Sequence, residues 1–169
     1  MALRFALTIV AVSAFAVLQW RLRGVEPSVL ALQFAFDPDA VRGLALRWGE
    51  SGIQSVRAHD VPDAVFACAY GLLGLLVARD VASNRGWPGM RRIAIWAAPF
   101  AAAADLLENA LQRAMLADLG AISPATAAIA GTVSVAKWSA VIAWVCAVVL
   151  LRTRPPSAPG RPDRSGGAG

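Results

Sequence analysis

The chain has 169 residues, of which 57% are hydrophobic and 16% charged, with a net charge of +5. Soluble domains run near ~45–50% apolar and ~25% charged, so this composition excludes an ordinary soluble domain. The positive charge is not a nucleic-acid footprint, because the arginines flank apolar runs and no basic stripe or aromatic platform accompanies them.

The apolar residues fall into four blocks, Phe5–Trp20, Ala64–Ala78, Ile93–Leu107 and Ala125–Leu151. A bilayer core of ~30 Å needs about 20 mostly apolar helical residues, and with their flanks all four blocks reach that length. The expected fold is all-α, an integral membrane four-helix bundle. Its four-span domain covers residues 1–151, with spans at about 3–20, 62–79, 93–112 and 125–151.

The first block has a rival reading. Met1–Arg4 followed by an apolar run could be a signal peptide, with Ala14-Phe15-Ala16 as a small-x-small cleavage site. The run continues past Ala16 to Trp20, an interfacial anchor, so a retained first span is preferred.

The connection from Arg21 to Pro62 is the long one. Asp37-Pro38 is a helix-start signal, with Asp as N-cap and Pro in the first turn. Val41, Leu44 and Trp48 then recur at helical spacing, Gly49–Gly52 breaks the pattern, and Ser51–His59 is expected to form a second short helix. Ser28–Phe36 is apolar enough to rest on a membrane surface. The loop is expected to carry short extracytoplasmic helices over the outer ends of the spans.

The second span begins at Pro62. Asp63 and Tyr70 are seven residues apart and share one face, with Gly71 and Gly74 as close-packing surface beside it. His59 lies just outside and is expected to be a solvated loop histidine; the alternative is a pH-sensitive partner for Asp63. Cys68 and Cys146 lie inside spans and are expected to be small core thiols. With no Cys/His cluster, no metal site is expected, and no cofactor.

In the third span, Asp105, Glu108, Asn109 and Gln112 stand at i, i+3, i+4 and i+7, which places them on one helix face. Continuing that face backwards gives Ala101, Ala98 and Ala94. Alanine on a packing face lets another helix come close, so this face points into the bundle.

The fourth span holds Lys137, the only lysine; the other fifteen of the sixteen basic residues are arginines. An ammonium in an apolar segment needs a carboxylate partner, a wet cavity or a lost proton. At 1.5 Å per residue, Asp105 lies ~18 Å and Lys137 ~12 Å from the cytoplasmic boundary, a gap that a lysine side chain can span. The candidate polar intramembrane site is Asp63, Tyr70, Asp105, Glu108, Asn109 and Lys137. Its charges sum to −2 if all ionise. The expected compromise is one ion pair at depth, one protonated acid and a partly hydrated Asp63. Polar residues that only hold helices together contribute about 0.6 kcal/mol per interaction, whereas inserting a charge costs ~2.5–3.5 kcal/mol. That imbalance favours a functional site. For Thr8, Ser13, Thr132, Ser134 and Ser139 the expectation is a bond back to the helix backbone.

The link between the second and third spans carries Arg79, Arg85, Arg91 and Arg92, and the segment after the last span adds Arg152, Arg154, Arg161 and Arg164. The positive-inside rule then puts both termini in the cytoplasm, with the chain in a bacterial inner membrane. Residues 152–169 are rich in Pro, Gly and Arg and are expected to form a disordered basic tail.

The Asp-x6-Tyr pattern at Asp63–Tyr70, Asp-Leu-Leu-Glu-Asn at Asp105–Asn109 and Ala-Lys-Trp at Ala136–Trp138 resemble a family of small bacterial four-span membrane proteins. Phe36–Gly52 also looks like that family's first loop. The resemblance covers about Val29 to Val145 and implies the fold and the paired motifs, but no activity. A looser similarity, in architecture, is to four-span sterol-isomerase-like proteins that hold acids and an Asn in a membrane cavity.

Three functions stay open. The polar core binds a hydrophobic small molecule or a partner helix; or the chain is a proton-coupled small transporter, as a homo-oligomer; or it is a lipid or isoprenoid enzyme with Asp105 or Glu108 as general acid. The sequence lacks a Ser/His/Asp set, a P-loop and haem-type histidines, which leans against the enzyme. The expected partners are the lipid bilayer, a hydrophobic small molecule and a second copy of the chain.

Overall fold

The structure, a computed structural model, describes residues 1–82 and 87–153. Arg85 and residues 154–169 lie outside the described residues, and with them the expected disordered tail except Arg152 and Thr153, which are helical and continue the last helix two residues beyond the expected end of the fourth span. Among the described residues the chain is all-helical, with α1 Ala2–Arg21, α2 Leu30–Gln33, α3 Pro38–Ala58, α4 Asp60–Ala82, α5 Pro88–Ala117 and α6 Pro124–Thr153.

The helix starts follow from local chemistry. The Asp37 carboxylate accepts the Ala40 N–H at 2.8 Å and Pro38 follows in the first turn. Ser123 does the same for the Thr126 N–H at 3.0 Å, ahead of Pro124 in α6. α4 begins at Asp60, earlier than the expected 62, with Asp60 and Asp63 in its first turn, where acids suit the helix dipole. The break expected near Gly49 is a kink inside α3, where Gly49 takes φ +61°. That left-handed conformation favours glycine. The Ser51–His59 segment therefore continues α3 and does not form a separate helix.

Among the described residues, three stretches are long and apolar enough to cross a membrane: Ala2–Arg21, the continuous Pro38–Ala82 and Pro124–Thr153. α5 has the length, at 30 residues, but is not among them. Asp105, Glu108, Asn109 and Gln112 lower its hydropathy, and all four are buried. It also carries Pro99 in its interior, which leaves the Ile95 carbonyl without its helical donor.

The main packing runs α1 on α4, α4 on α5, and α5 on α6. The inner faces are lined by small residues. Ala67, Gly71, Gly74 and Ala78 form one buried row on α4, and Ala94, Ala98 and Ala101 form another on α5. A Cβ added at Gly71 would lie 2.7 Å from Ala102 Cβ, and one added at Gly74 would lie 2.5 Å from Ala98 Cβ. The helices touch there because these positions have no side chain. The large apolar residues point outward instead: Phe5, Val12, Leu72, Trp96 and Ile142 are all exposed.

Cys68 and Cys146 are exposed, which corrects the expectation of core thiols. Cys68 is one residue beyond the buried Ala67 row and so turns ~100° away from it on the helix.

Among the described residues, two apolar clusters lie at opposite ends of the helices. One joins α2, α3 and the chain around them to the end of α5 and the start of α6, through Leu32, Val41, Val56, Met115 and Ala127. Phe36 lies against Gly131 of α6, and Arg42 Nε donates to the Leu119 carbonyl at 2.9 Å. The other cluster gathers Ala78, Ala94, Ala147 and Leu151 at the opposite end. At that end Arg4 pairs with Asp80, with Nη2 donating to Oδ1 at 2.6 Å. The polar residues of α5 and α6 lie between the two clusters.

Candidate polar site and cavity

α5 presents its acids to α6 and α4 from one face, because residues three and four apart share a side of a helix. Lys137 of α6 reaches across to two of them. Its Nζ lies 2.9 Å from Asp105 Oδ1 and 2.7 Å from Glu108 Oε2. All three side chains are withdrawn from the surface: Glu108 is 0%, Lys137 5% and Asp105 6% exposed. An ammonium held between two carboxylates answers the need that an apolar setting creates.

The remaining oxygens of the two acids are also occupied. Tyr70 of α4 donates its hydroxyl to Asp105 Oδ2 at 3.1 Å. Gln112 donates to Glu108 Oε1 at 2.9 Å. Ser134 and Thr132 return their hydroxyls to the Ala130 and Ala128 carbonyls, and Thr8 to that of Arg4.

Asp63 stands apart from this ion-paired set. It accepts from Asn109 Nδ2 at 2.6 Å and is partly buried. Among the described residues, no cationic side chain lies within ion-pair distance of it. The residues singled out by spacing are thus divided: Tyr70, Asp105, Glu108 and Lys137 join directly, whereas Asp63 and Asn109 form a separate pair above them.

His59 is not a solvated loop histidine. It is buried, and its Nδ1 donates to the Val56 carbonyl. α3 runs into α4 with only this residue between, so the ring is caught at the junction. Its nearest acid is Asp60, at 3.9 Å, and not Asp63.

Beside the ion pair lies a cavity of about 510 Å³. Asp63, Asp105 and Lys137 contribute its polar wall, and Phe15, Phe66, Tyr70, Trp138 and Trp144 its aromatic walls. Phe66 is in ring contact with both Phe15 (centroids 5.7 Å apart) and Tyr70 (5.2 Å), and Trp138 lies 5.4 Å from Lys137 Nζ. Glycine and alanine make the floor, at Gly74, Ala98 and Ala101. Phe15, Trp138 and Val145 are partly exposed on the outer surface, so the cavity opens sideways between α4 and α6. The tip of Gln33 reaches it from α2 and accepts the Trp138 indole N–H at 2.9 Å.

A second, shallower hollow of about 650 Å³ lies between α1, α4 and α5. The charged groups among its described lining residues are Asp60 and Arg113, which satisfy each other at 2.8 Å, so these offer a ligand no free charge.

Sequence reasoning missed the aromatic walls. Phe66 and Tyr70 are one helical turn apart, which was legible. Phe15 and Trp144 come from other helices, and their convergence was not.

Among the described residues no group of three His, Cys, Asp or Glu side chains could hold a metal ion. The arrangement can anchor a polar head beside an apolar volume, or relay a proton among carboxylates and a lysine. No protein family, curated protein or solved structure matches the chain.

Proposed function

We propose that this chain is an integral membrane protein of the bacterial cytoplasmic membrane, and that its polar site and side cavity bind a hydrophobic small molecule. In this reading α1, α4, α5 and α6 are the four spans of a helical bundle, both termini are cytoplasmic, and α2 and α3 lie on the outer side. The outward-facing large apolar residues and the small or polar interior support membrane insertion, since a soluble protein buries its large apolar side chains. α5 completes the set as a span whose polar face is turned wholly inward, where Lys137, Tyr70 and Asp63 satisfy it. Arg79, Arg91, Arg92 and Arg152 gather around the link between α4 and α5 and the end of α6, which supports a cytoplasmic assignment for that side.

The observation that carries ligand binding is the cavity itself. Polar residues that serve only to hold helices together would be packed shut around one another, since protein interiors leave few voids larger than a water molecule. Here about 510 Å³ stands open beside a charged wall and is lined chiefly by apolar and aromatic residues. That combination, a mostly apolar pocket with a few placed polar groups, is the usual composition of a small-molecule site.

The test is native mass spectrometry of the purified protein, compared with Leu73→Trp, which places a bulky ring in the cavity from α4. The unmodified chain is expected to retain a bound small molecule at near-stoichiometric occupancy, and the variant to lose it while keeping its helical content. Equal retention by both, or no retained molecule in either, would overturn the assignment.

A further inference from the structure

We propose that the ligand is an amphiphilic organic cation, with an ammonium-type head seated near Asp63 and an apolar tail running along α4 towards Val77. This inference rests on the ligand-binding reading above and adds the ligand's charge and orientation.

Charge comes first. The buried acids Asp105 and Glu108 share Lys137, so its positive charge is already opposed by two carboxylates. Asp63 then adds a third acid with no cation of its own among the described residues, and it forms part of the cavity wall. Even with one of the three acids protonated, two carboxylates against one lysine leave a surplus of negative charge around an apolar volume. An anion entering the cavity would meet a lysine already engaged and an opposing carboxylate. A neutral molecule would leave the surplus as it is. A cation offsets it.

The walls point the same way. Aromatic faces attract cations through their quadrupoles, and aromatic cages are the familiar solution for quaternary ammonium groups. Phe15, Phe66 and Tyr70 form a continuous row on the side of the cavity nearest Asp63. Trp138 stands on α6 across from them.

Shape sets the orientation. Along α4 the cavity extends from Asp63 to Val77, fourteen residues or ~21 Å of helix. The Asp63 end carries the acids. The far end is made by Val77, Trp144 and Val145, with no charged group among the described residues that line it. A molecule charged at both ends, or a compact hydrophilic amine, matches only half of this volume. The sideways opening lets an amphiphile enter from the bilayer with its tail still in an apolar phase.

The experiment uses the whole chain in nanodiscs of zwitterionic lipid. Dodecyltrimethylammonium, dodecyl sulfate and dodecanol are titrated by calorimetry below their micellar concentrations, with empty nanodiscs subtracted. The ammonium is expected to bind saturably at one site per chain, and the sulfate and the alcohol at least tenfold more weakly. Asp63→Asn should weaken the ammonium at least tenfold and leave the weak binding of the alcohol unchanged. Phe66→Leu, which keeps an apolar side chain and leaves every acid in place, should weaken the ammonium several-fold and serves if the Asp63 variant fails to fold. Equal binding of ammonium and sulfate, or an unchanged ammonium affinity in both variants, would overturn the proposal. A native bound molecule lost on Leu73→Trp, together with no saturable ammonium binding, sinks the cation assignment and keeps the pocket. Absence of both sinks the pocket as well.

Discussion

The two halves of α5 share one helix face and treat their neighbours differently. From Ala94 to Ala101 the face is alanine, and α4 meets it at Gly71 and Gly74 with almost no side-chain volume between. From Asp105 to Gln112 the face is polar, and the neighbours reach it with long side chains, Lys137 from α6 and Tyr70 from α4. Where the small half ends and the charged half begins, the side cavity opens, touching Ala98, Ala101 and Asp105. Close approach on one side and charge on the other make a volume that neither half would make alone. A uniform alanine face would have zipped shut, and a uniform acidic face could not be satisfied by one lysine.

That contrast can be broken most forcefully at Lys137. Lys137→Met leaves Asp105 and Glu108 buried without their cation, and removing one partner of a buried pair costs about 3–5 kcal/mol. Unfolding in mixed micelles should show the loss, and adding Glu108→Gln should recover part of it. If Lys137→Met leaves stability unchanged, the ion-paired half does not depend on this lysine.

The alanine half should break at Gly74. Gly74→Ala puts a methyl 2.5 Å from Ala98 Cβ, so α4 and α5 must separate. Overpacking of this kind costs about 1–3 kcal/mol. The double variant Gly74→Ala with Ala98→Gly moves the methyl to the other helix and should regain most of the stability. No regain would mean that contact at this pair is not what sets the helix separation.

Tyr70→Phe sharpens the comparison more gently. It removes one hydrogen bond to Asp105 and keeps the ring, so the expected loss is about 0.6 kcal/mol, in line with polar contacts between membrane helices. A loss as large as that of Lys137→Met would show that Tyr70, and not only the lysine, holds Asp105.

The smallest effect belongs to the outer face. Trp96 is 68% exposed, so Trp96→Leu should change stability within about 0.5 kcal/mol, as for surface positions generally. A larger change would place a partner on that face.

Much of α5 was legible in the chain. Spacing alone put Asp105, Glu108, Asn109 and Gln112 on one side, because the helical period determines which residues are neighbours. The Asp37-Pro38 start and the break near Gly49 were legible for the same local reason. Other features were not. His59 reads as a loop residue until α3 is seen to run almost directly into α4, which buries the ring. Cys68 reads as apolar content, and only the packing of the Ala67 row shows that it faces away. α5 reads as a fourth apolar span by length, yet its polar face keeps it out of the stretches apolar enough to be recognised by hydropathy.

What the sequence by itself determined is therefore local and periodic. It set where helices start and break, which residues share a face, and that a lone lysine in an apolar run requires acids. Only the tertiary structure decided which acids it meets, that Asp63 pairs with Asn109 and stays apart from the lysine, and that aromatic rings from α1, α4 and α6 converge on one cavity. The physical reason is that a face is a property of one helix, whereas an ion pair or a cavity depends on how closely and at what register several helices pack. That register depends on which side chains are absent or small, at Gly71, Gly74 and Ala98, as much as on those that are large.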